Sequence, residues 1–258
     1  MAQGRGWIGR VCALALGLAA IAGGASAAGL AVKPRAAGPV FDHFTRTVVW
    51  KGDETPSRLS AGLVAARAEL GVGGKGAVVG LFAGLSFTDA ADVVFDALPI
   101  SLAFDGSAVA GLAFGADVLV PVKRFGDFEI KGAGRIVYSM GLDKTWPLEG
   151  FAVEGRAAGQ PGWLEAAAGP RVDYLLFGGV VPYVELTARW LTASFRMDET
   201  LGELAGSETK RAGDFAVGAA LGADAKVTGR LDFRGRIGIM PFPGGVDTLA
   251  TAGLLYRF

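Results

Sequence analysis

Few residues in this chain of 258 are of a type that could carry out catalysis. Its one histidine, His43, is flanked by Phe41 and Phe44 and lies near the beginning of the chain. A Ser-His-acid triad or a His-Asp dyad needs a histidine beside the other catalytic groups. The sequence also has no G-x-S-x-G, H-E-x-x-H or phosphate-loop motif. We therefore expect no catalytic residue and a packed structural role for His43.

Carboxylates occur close together in the polar segment 197–213, which contains Asp198, Glu199 and Glu203. Oxygen ligands of this kind could hold a calcium ion, but solvated charge in a mobile loop is the simpler interpretation. The single cysteine, Cys12, lies in a predicted leader, so the rest of the chain has no thiolate ligand or disulfide. We expect no metal and no cofactor.

Arginines form a row near the end of the chain, where Arg230, Arg234 and Arg236 share one side of a segment with Asp232. Rings of arginine or lysine line anion pores. The same arginines could equally pair with acidic residues on other segments. The elements that carry these charges decide between the two interpretations.

Those elements are predicted to be β-strands. Hydrophobic residues make up 51% of the chain and the mean hydropathy is +0.40, yet no apolar run of about 18 residues follows the N-terminus, as a membrane helix would need. Segment 125–140 instead alternates between an apolar face and a charged face, which indicates a strand. A transmembrane barrel produces this composition because only alternate residues face lipid. The net charge of zero gives no indication of a nucleic-acid partner.

The last stretch, 246–258, carries this pattern to the end of the chain. Phe258, Tyr256, Leu254, Ala252 and Ala250 occupy every second position. This stretch resembles the terminal strand of the bacterial outer-membrane β-barrel proteins. The resemblance implies an up-and-down antiparallel transmembrane β-barrel in the bacterial outer membrane. It also implies that Tyr256 and Phe258 belong to the signal that the barrel-assembly machinery reads.

The alternation predicts about ten strands, an even number as single-chain bacterial barrels require, with eight or twelve as alternatives. The predicted strands are 59–72, 75–88, 93–105, 108–122, 125–140, 163–177, 180–196, 214–226, 230–240 and 246–258. A strand at 45–50 would make the number odd, so we leave it out. The long segments 141–161 and 197–213 then lie outside the cell. The turns near residues 88–90, 122–124 and 177–179 lie in the periplasm.

The charged faces of these strands must point inward, because an Arg or Lys facing the bilayer core costs about 2–4 kcal/mol. A small barrel can fill its interior with side chains. The balanced charges therefore predict either a salt-bridged core or a narrow pore, for which inward glycines such as Gly80 and Gly222 would leave room. The candidate lumen-lining residues are Arg135, Arg171, Glu185, Arg189, Arg230, Asp232, Arg234 and Arg236.

The N-terminus has the pattern of a secretory signal peptide. Arg5 and Arg10 form a basic start, 11–22 is an apolar core, and Ala25-Ser26-Ala27 is an A-x-A cleavage site. We expect a signal peptide at 1–27, a periplasmic lead-in or plug at 28–58, and the barrel at 59–258.

The leading functional hypothesis is a non-enzymatic outer-membrane barrel that acts as a small passive channel or as a structural barrel with a charged lumen. The alternative is a surface interaction or adhesion protein that acts through loops 141–161 and 197–213. The expected partners are outer-membrane lipid and the barrel-assembly machinery, together with small solutes or an extracellular partner. No nucleic-acid partner is expected.

Overall fold

A computed structural model describes residues 31–74, 76–98, 102–104, 107–150, 153–242 and 245–258. The predicted signal peptide at 1–27 lies outside these described residues. None of the described residues belongs to a helix long and apolar enough to cross a membrane. The described residues form thirteen strands: β1 Val32–Val49, β2 Pro56–Val72, β3 Ala77–Ala91, β4 Val93–Phe95, β5 Leu102–Phe104, β6 Val109–Phe125, β7 Phe128–Gly141, β8 Lys144–Leu148, β9 Gly155–Tyr174, β10 Val180–Leu201, β11 Leu204–Lys226, β12 Leu231–Phe242 and β13 Gly245–Arg257.

Ten of these strands close into an antiparallel ring. Its order is β1–β2–β3–β6–β7–β9–β10–β11–β12–β13, and β13 pairs back onto β1. Val40 marks the closure, because it is paired with Gly253 on one side and Ala65 on the other. β8 adds to β9 above the end of β7, and β4 pairs with β5 in a separate hairpin. The predicted all-β barrel of about ten strands is confirmed.

Two of the predicted elements are wrong, and their errors cancel in the strand count. Segment 32–49 is neither a lead-in nor a plug: it is β1, which fills the wall between β2 and β13. The predicted strand 93–105 is not part of the wall. Asp92 adopts a left-handed backbone conformation with φ of 61°, which turns the chain out of β3 before the short β4–β5 hairpin.

The two ends of the barrel differ. The terminal end holds the chain's last residue, since Phe258 N–H donates to the carbonyl of Arg35 (3.2 Å), and short turns such as 126–127 and 227–230. The loop end holds the longer connections 92–108 and 142–154. The predicted turn at 88–90 is wrong, because β3 continues through it to Ala91 at the loop end. Which end faces the periplasm stays a prediction.

The predicted loop 197–213 is also wrong, because β10 and β11 run through it as one long hairpin. These strands have 22 and 23 residues and meet at a tight turn where Gly202 has φ of 58°. Their outward residues are apolar up to the Trp190–Phe215 pair, whose ring centroids are 5.1 Å apart. Beyond that pair the outward residues of β10 are polar, from Thr192 to Thr200. The outward apolar residues up to this pair form what we call the apolar belt, and the hairpin therefore extends beyond this belt.

Candidate functional site in the barrel lumen

The inward side chains of β10 give a section through the lumen from the terminal end to the loop end. Alternate residues of a strand point to opposite faces, and each inward residue of this strand is buried. In order, they are Tyr183, Glu185, Thr187, Arg189, Leu191, Ala193, Phe195, Met197 and Glu199. We call the charged part up to the level of Arg189 the terminal half, and the mainly apolar part above it the loop half.

A continuous chain of ion pairs runs around most of the terminal half. Arg67 Nη2 lies 2.7 Å from Asp117 Oδ1, and Arg234 Nη2 lies 2.8 Å from Glu69 Oε2. The longest link is the 3.8 Å between Arg234 Nε and Asp224 Oδ1. In order, the chain is Asp117, Arg67, Glu69, Arg234, Asp224, Arg171, Asp173, Lys131 and Glu129. Signs alternate at every link, so these charges stabilise one another across six strands.

Three further arginines form a second tier nearer the loop half. Arg135 donates to both carboxylate oxygens of Asp42 (3.2 and 2.5 Å). Arg236 Nη1 donates to Glu185 Oε1 (2.7 Å). Arg189 Nη1 donates to Glu165 Oε1 (2.6 Å). The first pair joins β7 to β1 and the second joins β12 to β10, which are not paired in the sheet, whereas the third joins the paired strands β10 and β9.

The inward glycines make room for these side chains. A Cβ added at Gly80 would lie 2.5 Å from Arg67 Nη2 and 2.7 Å from Asp117 Oδ1. A Cβ at Gly222 would lie 2.2 Å from the Tyr183 ring, over which the Arg171 guanidinium stacks at 3.4 Å. The prediction that these glycines leave space for water is therefore wrong at these two positions.

The terminal half nevertheless encloses a cavity of about 400 Å³. Arg35, Gly76 and Pro121 line its mouth at the terminal end. Towards the loop half, the next space between the side chains is about 20 Å³, roughly the room needed by one water molecule. The described lumen therefore narrows sharply at the boundary between the halves.

Apolar packing fills the loop half. The rings of Phe44 and Trp163 meet edge to face with centroids 5.0 Å apart, and the Trp163 indole donates to Thr88 Oγ1 (3.0 Å). Arg46 lies among these apolar side chains and is held by Asp214 and Asp247. The other buried side chains of this half include Leu63, Val137, Leu191, Leu249, Val48, Trp50, Leu59, Met197 and Met240.

The β4–β5 hairpin packs into the mouth at the loop end. Val93 and Phe95 are completely buried, and the Phe95 ring meets Phe195 edge to face at 5.3 Å. Beside them, above the apolar belt, Glu199 is 1% exposed and neither carboxylate oxygen has a hydrogen-bond partner among the described residues. Burial first, and then the carboxylates of Glu208 and Asp96, raise the pKa of Glu199 above its usual value.

Six of the eight predicted lumen residues line the cavity: Arg135, Arg171, Glu185, Arg189, Arg234 and Arg236. The other two do not. Arg230 lies in the β11–β12 turn and donates to the Tyr256 hydroxyl (2.9 Å). Asp232 lies at the rim and pairs with Arg257 at 3.1 Å. Strand β12 begins only at Leu231, so Arg230 is not part of it. The predicted row of three inward arginines therefore contains only Arg234 and Arg236.

Sequence analysis missed the inward charges of β1. Asp42 and Arg46 both point into the lumen, yet the segment was excluded from the barrel. The alternation of Val40, Asp42 and Phe44 with outward residues is visible in the sequence and could have identified them. Only the parity of the strand count argues against a strand there.

The other candidate residues do not come together. His43 is half-buried and shares the outward face of β1 with Phe41. Among the loop carboxylates, Asp198 pairs with Arg196 on the outer face (3.0 Å) while Glu199 points into the mouth. No group of three or more metal-ligating side chains in the described residues could hold a metal ion.

The terminal strand has the predicted outward face. Tyr256 and Phe258 are 43% and 78% exposed, and their ring centroids lie 6.0 Å apart. Leu255, which breaks the apolar alternation in the sequence, points inward and is completely buried. The role of Tyr256 and Phe258 as an assembly signal stays a prediction.

No protein-family model and no curated protein sequence matches this chain. Solved structures do match this chain. The fold is similar to the translocator domain of the autotransporter NalP from Neisseria meningitidis, with a TM-score of 0.52 and 12% identity over 87% of this chain and 88% of that one.

Two other bacterial structures are similar at lower TM-scores. The outer membrane protease OmpT from Escherichia coli has a TM-score of 0.45 and 10% identity, over 89% of this chain and 96% of that one. A major outer membrane protein from Thermus thermophilus has a TM-score of 0.37 and 15% identity, over 86% and 99%. Of these three structures only NalP has a TM-score above 0.5, so it alone supports the fold, and identities this low carry no function over to this chain.

Proposed function

We propose that this chain, which has the fold of the bacterial outer-membrane β-barrels, is a closed, non-enzymatic structural barrel that presents a folded surface at its loop end. One observation carries the proposal. The loop half of the described lumen is filled by buried apolar side chains, with Phe44, Trp163 and Leu191 at 8%, 2% and 2% exposure. Ion pairs also hold together the charged side chains of the terminal half, and this favours a closed barrel over a passive channel.

An enzymatic role has little support from the placement of the candidate groups. A catalytic histidine must reach the other reacting groups, and His43 lies on the outward face of β1. Asp198 and Glu199 point to opposite faces of β10, so these two carboxylates do not form a pair that could share a proton.

Electrical recording tests whether the barrel is closed. The refolded protein is added to a planar lipid bilayer, and its folded state is verified by the change in gel migration on heating. We expect no stable conductance steps, while a general porin prepared in the same way gives them. Reproducible steps from the folded protein would contradict the proposal and restore the passive channel.

The second candidate function is an interaction at the loop end, and the β10–β11 hairpin specifically favours it. The hairpin continues for about ten residues past the Trp190–Phe215 pair, which is ~33 Å of strand at ~3.3 Å per residue. Placement of the loop end outside the cell is part of this proposal. It is supported by the short turns at the opposite end, where the chain terminates.

Cysteine labelling of intact cells tests this orientation. Glu203→Cys places a thiol in the hairpin turn at the loop end, and Thr228→Cys is the matched variant in a turn at the terminal end. A membrane-impermeant maleimide is expected to label the first variant in intact cells and the second only after permeabilisation. The reverse pattern would place the terminal end outside.

A further inference from the structure

The cavity of the terminal half has the size of a ligand site. Its volume of about 400 Å³ falls within the ~300–1,000 Å³ of typical small-molecule pockets. It opens near Arg35 and Gly76 and ends below the Phe44–Trp163 pair. Since the described lumen narrows there, a molecule that enters from the terminal end meets a blind pocket.

The wall of this cavity is more basic than the lumen as a whole. Among the described residues that line it, eight are basic and four are acidic. The other acidic side chains of the terminal half do not line the cavity, because they are buried behind their basic partners. Glu69 has 0% side-chain exposure against 29% for Arg234, and Asp173 has 1% against 16% for Lys131. The surface that faces the cavity therefore carries an excess of positive charge.

The second tier of arginines also has unused hydrogen-bond donors. A guanidinium has five N–H groups. Arg189 uses Nε towards Thr187 (3.2 Å) and Nη1 towards Glu165. Arg236 uses Nη1 towards Glu185 and, weakly at 3.4 Å, Nη2 towards Thr251. Both arginines line the cavity, and most of their donors lack a protein acceptor among the described residues.

Arg135, on β7, is the third arginine of this tier. Its two Nη atoms reach Asp42, and its guanidinium lies 5.0 Å from the centre of the Phe82 ring. Planar guanidinium groups bind carboxylates and phosphates through paired N–H donors. Three of them converge on one cavity, because Arg135, Arg189 and Arg236 all line it.

We propose that the terminal-half cavity is a binding site for a small molecule that carries phosphate or carboxylate groups, with Arg135, Arg189 and Arg236 as the principal donors. The oxyanion takes the place of water on the free N–H groups, while the existing ion pairs hold the arginines in position. The site differs from an anion pore, because its ligand enters and leaves at the terminal end.

Isothermal titration of the refolded barrel in detergent micelles tests the site. Inorganic pyrophosphate and citrate are the two anionic probes, and spermidine and glucose are the controls. We expect saturable binding of at least one anion that weakens as salt is added, and none of the controls. The preferred probe distinguishes phosphate from carboxylate chemistry. No saturable heat with either anion, or equal binding of spermidine, would overturn the proposal.

Arg236→Gln removes the charge and the paired donors, so we expect at least tenfold weaker binding of the anion. Arg236→Lys keeps the charge and gives a smaller loss, and it serves the same test if the Gln variant does not fold. Arg196→Gln, on the outer face, is the matched control and binds like the native protein. Unchanged affinity in both Arg236 variants would contradict the site. A conducting barrel would contradict only the closed-barrel proposal.

Discussion

The two halves of the lumen are filled by different interactions. In the terminal half, arginines, one lysine and carboxylates form a chain of ion pairs around a cavity of about 400 Å³. In the loop half, aromatic and aliphatic side chains pack together, with Trp50, Phe195 and Met240 each at 1% exposure. Ion pairs need specific directions and leave gaps, whereas apolar side chains approach close packing.

The two halves of the lumen therefore have different roles in one barrel. In the proposed closed barrel, the apolar half closes the lumen. The charged half lines a cavity that opens at one end, and some of its pairs, such as Arg67–Asp117 and Arg135–Asp42, join strands that the sheet does not pair. Four variants test this division, from the largest expected effect to the smallest.

Glu69→Ala tests the charged half most severely. Glu69 has no side-chain exposure and pairs with both Arg67 and Arg234. Its loss leaves two guanidinium groups without this partner, so we expect a loss of about 3–5 kcal/mol in the free energy of unfolding. Urea unfolding in lipid vesicles, followed by tryptophan fluorescence, measures this loss.

The double variant Glu69→Leu with Arg234→Leu is the control for that experiment. Removing both partners of a buried pair is much less costly than removing one, so most of the lost stability should return. If the double variant were as unstable as Glu69→Ala, packing volume rather than charge would hold the terminal half.

Met197→Ala makes the matching change in the apolar half. Met197 is 2% exposed, so truncation leaves a cavity, and we expect a loss of about 2–5 kcal/mol. Thr192→Ala, on the outward face of the same strand, should change the unfolding free energy by only about 0.5 kcal/mol. Equal losses in the two variants would show that the loop half is not closely packed.

Glu199→Gln tests the upper part of the loop half through the pH dependence of stability. The pKa of Glu199 is raised in the folded protein from a usual value of 4.5, so the folded state binds the proton more tightly than the unfolded state. Its contribution therefore makes stability fall as pH rises from about 4.5 through the raised folded pKa. Glutamine does not ionise, so the variant should be more stable than the native protein at neutral pH.

Urea unfolding midpoints of the native protein and Glu199→Gln, compared from pH 4 to pH 8, measure this effect. The difference between the two proteins should shrink towards pH 4 and become constant above the folded pKa. A difference that does not change with pH would mean that Glu199 has the same pKa in the folded and unfolded states.

Arg196→Ala should have the smallest effect. Arg196 pairs with Asp198 on the outer face, and their side chains are 56% and 43% exposed. Exposed pairs contribute about 0–1 kcal/mol, so the unfolding midpoint should hardly move. A loss comparable with that of Glu69→Ala would show that the hairpin beyond the belt is bound to something on this face.

The sequence by itself determined the strand period and the division of residues between the two faces, whereas the count of ten agreed only because one missed strand and one extra strand cancelled. The period and the division follow from local alternation, as in 125–140 and in the inward series of β10, because a strand exposes its residues alternately whatever its partner. The terminal strand is the clearest case, since its outward aromatics are where the pattern places them.

Only the tertiary structure decided which segments form the wall and which charges pair. The even strand count argues against a strand at 45–50, yet pairing with β2 and β13 makes 32–49 strand β1. Asp42 and Arg135 are 93 residues apart, and Arg234 reaches Glu69 over a separation of 165. Such contacts depend on which strands the closed ring brings opposite each other. The local alternation of residues does not specify this.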